Sequence, residues 1–114
     1  MAITLKKIDT WSTKKKTGKL VKALSDSDLE IRLAALKALG NAADENALNS
    51  LISSLRDSDA SMRAMAAEAL GNMSNARALE FVRYTSTHDD DENVREKAAQ
   101  ALTKIKENMP AEEK

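Results

Sequence analysis

The chain has 114 residues, of which 42% are hydrophobic and 32% charged, with one Trp, one Tyr and one Phe; an Ala- and Leu-rich mixture of this kind suits soluble helices and is poor in strand-forming residues. The lack of cysteine excludes disulfides, thiolate metal centres and thiol nucleophiles. Charge sums to zero, yet Lys6, Lys7, Lys14, Lys15, Lys16, Lys19 and Lys22 stand against Asp9 alone in residues 1–25, a balance of +6 that the remainder cancels; no segment has the apolar length of a signal peptide or a membrane span, so the expected setting is cytoplasmic and free of membrane.

From the N-terminus, residues 1–12 supply a first helical segment, residues 3–11, whose Leu5 and Ile8 return 31 residues later as Leu36 and Leu39. An end helix must bury its inward face and present a polar one outward. This one is expected to cap the core, with Trp11 covering its open end and a break within residues 10–17.

Residues 15–44 form a first unit. Its first helix carries Leu20, Val21 and Leu24, and its second carries Ile31, Ala35, Ala38, Leu39 and Ala42, at steps of 4, 7, 8 and 11 that lie on one helical face. Residues 45–75 repeat the arrangement with Leu48, Leu51, Ile52 and Leu55, then Met62, Ala66, Ala69, Leu70 and Met73. In residues 76–108 the same roles fall to Leu79 and Val82, then Val94, Ala98, Ala101, Leu102 and Ile105, now displaced by 32 because one residue is added between Thr85 and His88. This third unit has Thr85-Ser86-Thr87 where the others place Leu24 and Leu55, and Thr103 in place of Gly40 and Gly71, which marks it as terminal. Its last helix is expected to stop near Asn108, before Pro110, leaving residues 109–114 as a frayed tail.

Helix pairs joined by short loops must lie antiparallel, and a period near 31 residues stacks such pairs into an array. The expected fold is therefore an all-α solenoid: one domain, 1–114, of about three helical hairpins plus the N-terminal capping helix. Alanines at the centre of each inner stripe let neighbouring helices approach closely, and Gly40 and Gly71 are read as points of close approach or as helix ends. The hairpins are joined through residues 40–46 and 71–75.

Each hairpin turn carries the same charges. Asp26, Asp57 and Asp89 lie six residues before Arg32, Arg63 and Arg95, and Asp28, Asp59 and Asp91 lie four before them. The second acid is placed to cap the helix that follows. The arginine can reach an acid of its own turn or of the adjacent unit, so these nine residues are expected to form a structural ladder along one edge. Each arginine has two acids within reach, which disfavours an anion-binding role.

The turn Asp-x-Asp-x-x-Ile/Met-Arg followed by Ala-x-x-Ala-Leu-Gly, at residues 26–40 and again at 57–71, resembles the short HEAT-like repeats named after the phycobilisome lyase subunits. The likeness covers about residues 15–108. It implies a right-handed superhelix of antiparallel helix pairs whose second helices line the concave side. The prolines common in that family's turn are replaced here by Ser27, Ser58 and Asp90, then Leu29, Ala60 and Glu92, a loss of rigidity that leaves the turn itself intact.

No nucleophile stands with a base, and no paired carboxylates mark a cleft. His88 adjoins Asp89, Asp90, Asp91 and Glu92, but consecutive acids at a helix start splay apart and no glycine supports a coordinating loop. A non-enzyme without cofactor or metal is expected. The concave face is expected to consist of Leu33, Leu36, Lys37, Ala64, Ala67, Glu68, Glu96, Ala99 and Gln100, grading from apolar and basic to acidic, and to hold a peptide or protein segment as a scaffold. Two other readings are an accessory subunit of a chromophore lyase or other enzyme complex, which requires a deep pocket, and nucleic-acid binding through the lysine-rich N-terminus. The second is disfavoured because the lysines gather at one end instead of along the trough. The polarised ends fit a monomer or a weak head-to-tail oligomer.

Overall fold

The computed structural model describes residues 2–113; Met1 and Lys114, which belong to the expected cap and tail, lie outside the described residues. Among the described residues there are seven α-helices and no strand. They are α1 Leu5–Thr13, α2 Thr17–Ala23, α3 Leu29–Leu39, α4 Glu45–Ser54, α5 Ala60–Met73, α6 Leu79–His88 and α7 Glu92–Glu107. A 3₁₀ turn, Ala76–Ala78, leads into α6.

Local chemistry sets the boundaries. Thr4 is extended and its hydroxyl accepts the Lys7 N–H at 3.2 Å, so α1 begins at Leu5, two residues after the expected start. It ends before Lys14, and Lys15 takes a positive φ of 55° that turns the chain into α2. Asp28, Asp59 and Asp91 each precede an inner helix and accept the N–H of Glu30, Ser61 and Val94 at 2.9, 2.8 and 3.0 Å. Asp44 does the same for α4, accepting the Ala47 N–H at 2.8 Å.

The helices form two rows. α2, α4 and α6 make the outer row; α1, α3, α5 and α7 make the inner one, each packed on the next. Ile31, Met62 and Val94 are buried at the start of their helices, as are Leu39, Leu70 and Ile105 further along, with Leu20, Leu51 and Val82 meeting them from the outer row. Trp11 packs half-buried against this core at its N-terminal end, with the Lys19 ammonium 5.6 Å from the ring centroid.

The inner row closes through small residues. A Cβ added at Gly40 would lie 2.9 Å from the Ala69 Cβ, and one added at Gly71 would lie 2.9 Å from the Ala101 Cα. Gly71 does not open the linker: α5 continues through it to Met73 and ends at Ser74, whose left-handed φ of 54° makes the turn. Its role is proximity, not termination. Thr103 occupies the same register in α7, the last inner helix among the described residues, and is exposed. After Pro110, residues Ala111–Glu113 form an exposed 3₁₀ turn, with the Glu113 N–H bonded to the Pro110 carbonyl at 2.9 Å.

The outer row is looser. α3, α5 and α7 pack tightly against one another, whereas α4 and α6 scarcely touch. A stack that is close on one side and open on the other curves toward the close side, so the inner helices line the concave face of a slab 47 × 29 × 16 Å.

Candidate functional site

The concave face differs from the expected set, and helical geometry gives the reason. Leu33, Leu36 and Gly40 lie on the side of α3 turned toward α5, since Leu33 borders the same cleft as Ala64 and Glu68 while Gly40 abuts Ala69. Leu36 is consequently completely buried, as is its counterpart Ala67, and Ala64 is nearly so. These three are seam residues and are not available to a partner. Glu96, Ala99 and Thr103 continue the same row on α7, the last inner helix among the described residues, and are exposed.

A step of about 100° per residue leaves the other expected residues, Lys37, Glu68 and Gln100, bordering surface clefts, flanked by Asn41, Asn72 and Lys104. Lys37 and Gln100 are exposed, and Glu68 is half-buried beside Lys97, whose ammonium lies 3.4 Å from its carboxylate. The Lys104 ammonium donates to the Asn72 side chain at 3.1 Å. Lys97 and Lys104 remove the expected acidic gradient, so charges alternate across the layers. The clefts here are shallow, at about 260 Å³ beside Gln100 and about 370 Å³ between α1 and α3.

At the turn edge each arginine first binds its own turn. One Nη of Arg32, Arg63 and Arg95 donates to the carbonyl of Asp26, Asp57 and Asp89 at 2.7, 2.9 and 2.7 Å. Only the middle arginine then bridges to the next unit by an ion pair among the described residues: Arg63 grips Asp89 through Nε at 2.9 Å and Nη2 at 3.2 Å, and Nη2 also donates to Asp90 at 3.1 Å. The ladder therefore has one complete rung instead of a repeating series. Burial raises the Asp89 pKa, but the Arg63 guanidinium and the Asp91 N–H outweigh it and hold the carboxyl below its ordinary value. The Thr17 hydroxyl, donating at 2.6 Å, is the main cause of the lowered pKa of Asp44, and it ties α2 to the start of α4.

A more voluminous cavity lies elsewhere. Between α4 and α6 the outer row opens into a groove of about 640 Å³ walled by Ile52, Leu55, Phe81 and Tyr84. Tyr84 is 64% exposed, and its ring stacks on His88 at 4.0 Å between centroids. This feature escaped the sequence reading, which followed the buried stripes. The signal was present in the repeat: Phe81 and Tyr84 stand 31 residues after Ser50 and Ser53.

Antiparallel helical hairpins, stacked in two rows and closed by glycine–alanine seams, define an α-solenoid repeat protein. The family model for HEAT repeats matches residues 17–103, and the chain belongs to that family. HEAT repeats commonly mediate protein–protein interaction. No curated protein matches the chain.

Proposed function

We propose that the protein is a non-catalytic scaffold that holds a peptide or protein segment across its concave face. The observation that carries this reading is the row Lys37, Glu68 and Gln100, three equivalent positions on successive inner helices, Lys37 bordering the cleft between α1 and α3 and the other two the cleft between α5 and α7. Packed helices lie about 8–10 Å apart, so a partner crossing the row meets a cation, an acid and an amide in fixed order. Such a sequence of charges selects register and orientation. Half-exposed Leu33 and Met65 add apolar area beside it, while the shallow clefts suit a segment lying across the layers better than an enclosed small molecule.

The test is affinity capture with Lys37→Glu/Glu68→Lys as the control. Loss of the captured partner with unchanged circular dichroism is expected. Undiminished capture would remove the concave face from the interaction.

A further inference from the structure

The two grooves between successive outer helices are equivalent by repeat register and differ in chemistry. In the first, Val21 of α2 and Leu24 at its C-cap face Ser50 and Ser53 of α4; in the second, Ile52 of α4 and Leu55 at its C-cap face Phe81 and Tyr84 of α6. The cavity grows from about 330 to about 640 Å³, and its open wall changes from serine to aromatic. His88 braces the Tyr84 ring from one side, its Nδ1 lying 3.1 Å from the Tyr84 carbonyl oxygen. An aromatic pair fixed this way loses little freedom on binding, which favours it as an anchor site.

Charge decides the occupant. All five N–H groups of Arg63 are engaged, on Asp89, Asp90 and the carbonyls of Asp57 and Ser58, so it has no donor left for an anionic ligand. Asp90 shares that guanidinium with Asp89 and points outward, its side chain 94% exposed. Asp57 and Asp91 flank the same cluster with no ion pair among the described residues. Against these four carboxylates stand Arg63, Arg56 and Arg95, the last donating to the Asp89 carbonyl at 2.7 Å, while Glu80 in the groove wall is paired with Arg83; a balance of −1 remains at the turn end, carried outward by Asp90.

We propose that the α4/α6 groove is a second docking site, separate from the concave face, for a protein segment that carries a large apolar side chain with a lysine or arginine close beside it. The apolar side chain lies against Phe81 and Tyr84, and the cation reaches the free oxygen of Asp90. Electrostatic attraction at this exposed end makes binding weaker as salt rises.

The probe is a random dodecapeptide library displayed on phage, panned against the full chain and depleted on a Phe81→Ser/Tyr84→Ser variant. Both substitutions copy the first groove and sit at exposed positions, so the fold is expected to survive, as circular dichroism would verify. Asp90→Lys serves as an independent variant should the double one fail to fold. Enriched peptides should pair an aromatic or leucine with lysine or arginine. A synthetic representative should bind each groove variant at least about tenfold more weakly and bind Lys37→Glu/Glu68→Lys as tightly as the wild type. Absence of enrichment, selection of acidic peptides, indifference to the groove substitutions, or loss in the concave-face variant would each overturn the proposal. So would concentration-dependent dimerisation abolished by Phe81→Ser/Tyr84→Ser, which would make a second copy of the chain the occupant.

Discussion

Gly71 is surrounded closely enough that a single methyl group decides its energetics. Alanine is the better helix former by about 1 kcal/mol, but its Cβ would meet Ala101 backbone at 2.9 Å, and overpacking against atoms that cannot swing away costs about 2–3 kcal/mol. Gly71→Ala is therefore expected to destabilise by about 1–2 kcal/mol in urea unfolding. Gly18 has nothing within 4 Å of an added Cβ, so Gly18→Ala should instead stabilise by about 0.4–1 kcal/mol. Opposite signs from the same substitution distinguish seam from surface. At Asp89 the folded pKa lies below its ordinary value of 3.8, so its pairing stabilises the protein above that pH and ceases to do so as pH falls through the folded value. Asp89→Asn is expected to lose about 1–3 kcal/mol at pH 7, with the gap to wild type narrowing below pH 3.8 in acid titrations of the melting temperature.

Element by element, the inner helices were legible in the sequence because their alanine-centred stripe and acidic cap recur in register. Asp91→Ala removes the bond to the Val94 N–H and should lower stability by about 0.5–2 kcal/mol in thermal melting. The N-terminal helix was legible too, although of its two expected inward residues only Ile8 is buried, Leu5 being 45% exposed, and Thr4 set its start. Trp11→Ala should lower the melting temperature, since about 1–3 kcal/mol of apolar burial is lost where the ring covers the core; an unchanged melt would remove Trp11 from the cap. What periodicity did not give was the side of the helix that each apolar residue serves. Leu36, Ala64 and Ala67 looked available because a stripe identifies buried faces within a hairpin, whereas the seam between hairpins follows from stacking. Phe81 and Tyr84 were missed for the converse reason: they lie off the buried stripe, and only comparison with Ser50 and Ser53 distinguishes them.

At the scale of the molecule, stability in a stack is a sum over neighbouring layers. α5 has layers on both sides, while α1 and α2 stand at an end, and α2 is a seven-residue helix whose N-cap, Lys16, makes no side-chain hydrogen bond. Hydrogen exchange should accordingly find the slowest amides in α5 and the fastest helical amides in α1 and α2; equal protection throughout would signify one cooperative core. The open faces available to partners exist only if hairpins are joined layer upon layer through the two glycine contacts. Nuclear Overhauser spectroscopy on alanine-methyl-labelled protein tests this directly. Cross-peaks from the Gly40 Hα protons to the Ala69 methyl, and from those of Gly71 to the Ala101 methyl, are the expected result; their absence with all four residues assigned would contradict the stacked arrangement.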